Sequence, residues 1–218
     1  MLPTIQREFV WKDQHIKDFV IAMKKRFPLG IITLWSPPST FVVDPVPFID
    51  GQSPLPTASY VLDGQQRITT MLLIKNGFSI QRAGETIARK HVFYNPRDDE
   101  VLLRNEDLHP ADEISLTVLA LQNKEYREWM NDLETRGKET EKRHIEDFAR
   151  ALRENPVGMH TVGPSYSYKD VASIFLTINS AGVTVKPIDM FFSLLATDFT
   201  KAFKDRFHAS SYFPFKSL

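Results

Sequence analysis

Tyr60-Val61-Leu62-Asp63-Gly64-Gln65-Gln66-Arg67-Ile68-Thr69-Thr70-Met71-Leu72-Leu73-Ile74-Lys75 decides how this chain is read. Tyr60 to Leu62 form a short strand, and Ile68 to Lys75 form a buried helix ended by Asn76-Gly77. The polar string between them is a strand-to-helix turn. Gly64 lets the backbone turn tightly and approach a ligand, because it has no Cβ. The amides that open the helix point outward at the positive end of its dipole, which suits an anion. Arg67 is poorly placed for helix electrostatics but well placed to grip a phosphate with two nitrogens. Gln65 and Gln66 offer neutral donors and acceptors for a base, a ribose or an attacking water. Thr69 and Thr70 add hydroxyls. Asp63 can hold a metal, orient Arg67 or act as a base. A plain polar turn, with Asp63 capping the helix and Arg67 paired to an acid, explains the same residues equally well.

Upstream, Ile16, Phe19, Val20, Met23 and Phe27 recur at helical spacing behind Asp13 as N-cap, and Pro28 and Gly30 end that helix. Ile31 to Trp35 is a β-branched apolar run, hence a strand. From Ser36 to about Ser59 runs a loop holding six of the fourteen prolines, which excludes a helix or a central strand. Downstream, Phe78 to Ile80 is a further strand, and His91-Val-Phe-Tyr-Asn95 with Val101-Leu-Leu-Arg-Asn105 is a hairpin turning at Pro96 to Asp99. Lys124 to Asn155 is a pair of amphipathic helices divided by Gly137, whose charges alternate in sign. Met159 to Val162 is a strand. Asp170 caps a helix over Val171 to Ile178, the Asn179-Ser180-Ala181-Gly182 turn breaks it, and Pro187 opens a last helix through about Phe199. The fold class is α+β, with short strands early and helices dominating the second half.

Composition narrows the chemistry. The chain has 218 residues, 27 basic and 27 acidic side chains, six His and no Cys. The missing Cys removes disulfides, thiolate zinc sites and cysteine nucleophiles. Zero formal charge argues for a compact phosphate pocket over a broad DNA-binding face, although Lys24-Lys25-Arg26 is a local basic patch. No apolar run is long enough to span a bilayer and no signal peptide opens the chain, so a cytoplasmic location is expected. P-loop, GxGxxG, HExxH and GxSxG strings are absent. The histidines, at 15, 91, 109, 144, 160 and 208, lack ligand spacing and read as surface or cap residues. Tyr212, Phe213 and Phe215 make an aromatic end, which suggests a domain cut from a longer protein or a tail packed on the core.

Three segments in order, Ile5 to Trp35, Tyr60 to Ile74 and Ile174 to Met190, make the chain resemble the GmrSD-type N-terminal domain, a family marked by the DGQQR string. The resemblance runs from about Pro3 to Phe199. It implies a fold related to ParB and sulfiredoxin, with residues 1–110 as the nucleotide-binding core and 111–218 as a mainly helical part completing it. In that fold a Gly-x-x-Arg loop holds nucleotide phosphates; here it is Gly64 to Arg67, with Ile68, Thr69 and Thr70 following. The loop Cys of sulfiredoxin is absent, so that redox chemistry is excluded. Gln6 and Arg7 are expected to meet the same phosphates, Asn179 to line the pocket, and Asp189 to lie beyond it. The implied function is a sensor domain of a modification-dependent restriction or phage-defence protein that binds and hydrolyses a nucleoside triphosphate (GTP, CTP, UTP or ATP), with Mg2+ and with Asp63 as a metal ligand. The implied catalytic set is Asp63, Gln65, Gln66 and Arg67. Relatives carry a His-Asn-His nuclease domain that this sequence lacks, so that partner is expected in cis or in trans, modified DNA is the expected target, and the chain alone is not expected to cut DNA. The rival readings are a DNA-binding module gripping backbone phosphate through the DGQQR loop, and an interaction domain with a degenerate pocket.

Overall fold

The computed structural model describes residues 8–38, 47–51, 59–105 and 110–180. They form a mixed α and β structure of six helices and three small sheets. The sheet that matters most joins β1 (Ile31–Trp35), β2 (Tyr60–Asp63) and β8 (Gly158–Val162) in the order β2-β1-β8, with β2 antiparallel and β8 parallel to β1. Its two faces are covered by different helices. On one, Ile32, Leu34 and Val61 pack with Ile68 and Leu72 of α2 (Gln65–Lys75) and with Phe48. On the other, Trp35, Tyr60, Leu62 and Val162 pack with Val171 and Ile174 of α6 (Tyr168–Ser180). Period-2 alternation along β1 produces this division, since Thr33 and Trp35 point opposite to Ile32 and Leu34.

α2 also belongs to the larger core. Its Leu73 and Ile74 join Ile16 and Val20 of α1 (Asp13–Lys24), Val92 and Tyr94 of β5 (His91–Asn95), Leu116 and Leu119 of α3 (Leu116–Leu121), and Ile145 and Phe148 of α5 (Glu139–Glu154). α4 (Lys124–Thr135) adds Leu133, and Gly137, with φ 65°, makes the turn between α4 and α5. β5 pairs antiparallel with β6 (Glu100–Arg104) and with β7 (Ile114–Ser115). β3 (Ser79–Arg82) and β4 (Glu85–Ala88) are a hairpin whose two-residue turn, Ala83-Gly84, takes positive φ at both positions.

Several boundaries differ from the sequence reading. Arg26 adopts φ 55°, so the chain leaves α1 before Phe27, which is 54% exposed and not part of the buried stripe. Asp13 is the first helical residue and Lys12 the N-cap; the Asp13 carboxylate instead accepts the Lys90 amide at 3.1 Å. α2 starts three residues earlier than Ile68, because Gly64 at φ 97° serves as its N-cap. Phe78, at φ 62°, belongs to the turn ahead of β3. Ser167, not Asp170, caps α6: the Asp170 amide donates to Ser167 Oγ at 3.3 Å while its carboxylate accepts the Ser167 amide at 3.0 Å. α6 runs on through Asn179 and Ser180, so these residues do not break it. β4, β7 and α3 were not anticipated. The expected elements beyond residue 180, and most of the proline-rich loop, lie outside the described residues. Among the described residues no helix is long and apolar enough to cross a membrane.

Candidate phosphate-binding turn

The site begins with a β-bulge. Leu34 of β1 is level with Val61 and Thr33 with Asp63, so one step on β1 matches two on β2. The extra residue brings Asp63 level with Thr33, on the face that carries Trp35, instead of the opposite one. Gly64 follows in the left-handed region, and a Cβ there would meet Ile32 Cγ1 at 3.0 Å. Position 64 therefore requires glycine twice over, for its φ and for its closeness to β1.

Arg67 is fixed on both sides. Its Nη2 donates to Asp63 Oδ2 at 2.8 Å and its Nη1 to the Leu29 carbonyl at 2.8 Å. The side chains of Arg67 and Asp63 are 17% and 33% exposed, so solvent still reaches the pair. Gly30, at φ 80°, lies flat against the guanidinium; any Cβ at that position would overlap Nη1. Among the described residues, Arg67 Nε and the second oxygen of Asp63 make no hydrogen bond, and neither do the backbone amides of Gln65, Gln66 and Arg67. The amide of Ile68 is the first to be used inside α2, donating to the Gly64 carbonyl at 3.0 Å. The turn thus offers a held guanidinium, three free amides and one free carboxylate oxygen close together.

The remaining expected site residues are placed differently. Both ends of the Gln66 amide are engaged by the segment before α1: Oε1 accepts the amides of Val10 (3.0 Å) and Trp11 (3.3 Å), and Nε2 donates to the Glu8 carbonyl. Gln65 is 7% exposed. Thr69 and Thr70 are fully buried; Thr69 Oγ1 accepts from Arg82 Nη2 at 2.8 Å and Thr70 Oγ1 donates to the Gln66 carbonyl. The structure therefore brings together Asp63, Gly64, Gln65, Gln66 and Arg67, but turns both threonines inward. Gln6, Arg7, Gly182, Asp189 and the Asn179 side chain lie outside the described residues. Among the described residues no three His, Asp or Glu side chains converge as a metal site.

Sequence reasoning missed Leu29 and Gly30, which complete the cradle of Arg67. Gly30 was read as a helix stop, yet a glycine just ahead of a strand also signals close approach of another group. Two concavities of the described surface, about 340 and 940 Å3, lie elsewhere and include no residue from 63 to 67. In the smaller one the charges neutralise one another through Arg136–Asp132, Lys138–Glu141 and Arg97–Asp112. Chemistry, not concavity, marks the turn at Asp63 to Arg67.

A family model described as the GmrSD restriction endonuclease, N-terminal domain, matches residues 1–196, so the chain belongs to that family. No curated protein matches the chain by sequence.

Proposed function

We propose that this GmrSD-family domain binds a nucleoside triphosphate at the Asp63-to-Arg67 turn, hydrolyses it, and acts as the sensing part of a modification-dependent restriction or phage-defence protein whose nuclease domain cuts DNA. One observation carries the reading: Arg67 is held rigid by Asp63 and Leu29 with Nε unused, beside three unused amides at the start of α2. That combination suits phosphate oxygens, which take charge-assisted bonds from a fixed guanidinium and from helix N-terminal amides. Positioning and electrostatics suffice for phosphoryl transfer to water, with no covalent nucleophile. In this reading the free Asp63 oxygen accepts a hydrogen bond from the attacking water, and Arg67 and the amides take up charge on the phosphate oxygens. Mg2+, when bound with the nucleotide, supplies further neutralisation. Gln66 acts by holding the segment from Glu8 to Trp11 against the turn.

The test is calorimetric titration of GTP, CTP, UTP and ATP, each with Mg2+, into the protein and into Arg67→Ala. At least one nucleotide should bind the unaltered chain, and Arg67→Ala should abolish that binding. Nucleotides that bind Arg67→Ala as they bind wild type would refute the assignment. No nucleotide binding, together with duplex binding that falls steeply with salt, would favour a grip on backbone phosphate. Bound but intact triphosphate after incubation with Mg2+ and DNA would leave binding and remove hydrolysis.

A further inference from the structure

The three-stranded sheet places a side chain opposite the Asp63–Arg67 pair that sequence spacing gave no reason to connect with it. Thr33 of β1 is level with Asp63 on one side and with His160 of β8 on the other. His160 precedes Val162 by two residues, and Val162 packs with Trp35, so His160 points to the face that the bulge gives to Asp63. Two strand spacings separate the backbones of His160 and Asp63, about 10 Å. Between them stands only the short side chain of Thr33, itself 5% exposed.

This row marks where the face opens. One step further along the sheet, Trp35 and Val162 are 1% and 4% exposed beneath α6. At the other end, Ile31 is 57% exposed, and Gly158, level with it, contributes no side chain. His160 is exposed at the mouth of the resulting notch and makes no hydrogen bond to the described residues. An imidazole and a guanidinium thus flank a gap that a phosphoryl group, hydrogen-bonded on both sides, would fill.

We propose that His160 is a ligand-contacting residue of the same site, donating a ring N–H to a phosphate oxygen on the side opposite Arg67. This rests on the triphosphate reading above. It adds β8, nearly a hundred residues further along the chain, to a site otherwise built from β1, β2 and α2.

The test uses the full chain and its His160→Ala and His160→Gln variants, with Arg67→Ala as reference. Affinity for the nucleotide that binds wild type should fall about tenfold in His160→Ala, the loss of one charge-assisted hydrogen bond. His160→Gln, which keeps a donor, should recover part of it. In proton NMR, the imidazole resonance that disappears in His160→Gln should shift on adding the nucleotide to wild type. Both variants should keep the wild-type melting temperature, because the side chain is exposed and unbonded. Wild-type affinity in His160→Ala, or an imidazole resonance unmoved at saturation, would overturn the proposal while leaving the turn intact if Arg67→Ala still fails to bind. Undiminished binding by Arg67→Ala would overturn both.

Discussion

Two arginine–carboxylate pairs sit in this molecule, and they are built to opposite ends. Arg104, in the last position of β6, meets Glu113, just ahead of β7, with two parallel bonds, Nε to Oε2 at 3.0 Å and Nη2 to Oε1 at 2.6 Å. Glu113 is 3% exposed, and its carboxylate holds the Arg104 guanidinium above its usual pKa. Both carboxylate oxygens are used, so this pair closes on itself and ties β6 to β7. Arg67 and Asp63 share a single bond; the second nitrogen of Arg67 is taken by a backbone carbonyl, and one acceptor and one donor remain over. The difference teaches how a structural ion pair is told from a prepared one: by the valence left after the protein's own contacts are counted.

The sharpest way to break this comparison is to remove each acid in turn. Asp63→Ala should weaken triphosphate binding about tenfold with little change in melting temperature, whereas Glu113→Ala should lower the melting temperature and leave binding unchanged. Thermal melts and titrations on both variants settle it; the distinction fails if both variants move the same quantity. Next in size is Gly30→Ala. A Cβ there requires φ 80° of an alanine and overlaps the Arg67 guanidinium, so unfolding free energy should fall by about 1–2 kcal/mol, and binding should weaken as Arg67 is displaced. Denaturant melts read the first effect and calorimetry the second.

Gln66→Ala should remove the anchorage of residues 8 to 11 at a cost of about 1 kcal/mol, seen as faster amide exchange in that segment. A loss of hydrolysis without faster exchange would return Gln66 to a chemical role. Smallest is a third carboxylate anchor, Asp99, which accepts from Tyr94 Oη at 2.5 Å and pairs with Lys24 at 2.6 Å. Burial raises the Asp99 carboxyl, but the bonds from Lys24 and Tyr94 outweigh it and hold its pKa below the ordinary value. The stabilisation is therefore complete above the unfolded pKa, near 3.9, and is lost as pH falls through the lower folded value. Asp99→Asn should melt below wild type at pH 7, and the gap should close below about pH 4.

How much of this was readable from residue order depends on distance along the chain. Strand, turn and helix around Asp63 are local, and hydrophobic periodicity with one glycine located them. The α4–α5 pair, the β5–β6 hairpin and β8 were legible for the same reason. The bulge that turns Asp63, the Leu29 carbonyl beneath Arg67 and the row shared with His160 all arise from strand pairing, which no local pattern encodes. Thr69 and Thr70 looked like ligands because a hydroxyl after a turn is polar; their burial follows from α2 packing between two cores. Short elements were the other loss: β7 is two residues and α3 six, too brief for periodicity to register.

The parallel pairing of β8 with β1 has a consequence for how the molecule comes into being. Ile31 finds its partner at Gly158, well over a hundred residues later, so this contact is among the last a growing chain can make. Until then β1 presents one bare edge to whatever other nascent chains are near. A ribosome-bound intermediate ending before Gly158 would hold Arg67 already cradled by Leu29 and Gly30 but with half the notch missing, so tight nucleotide capture would coincide with completion of the sheet rather than precede it.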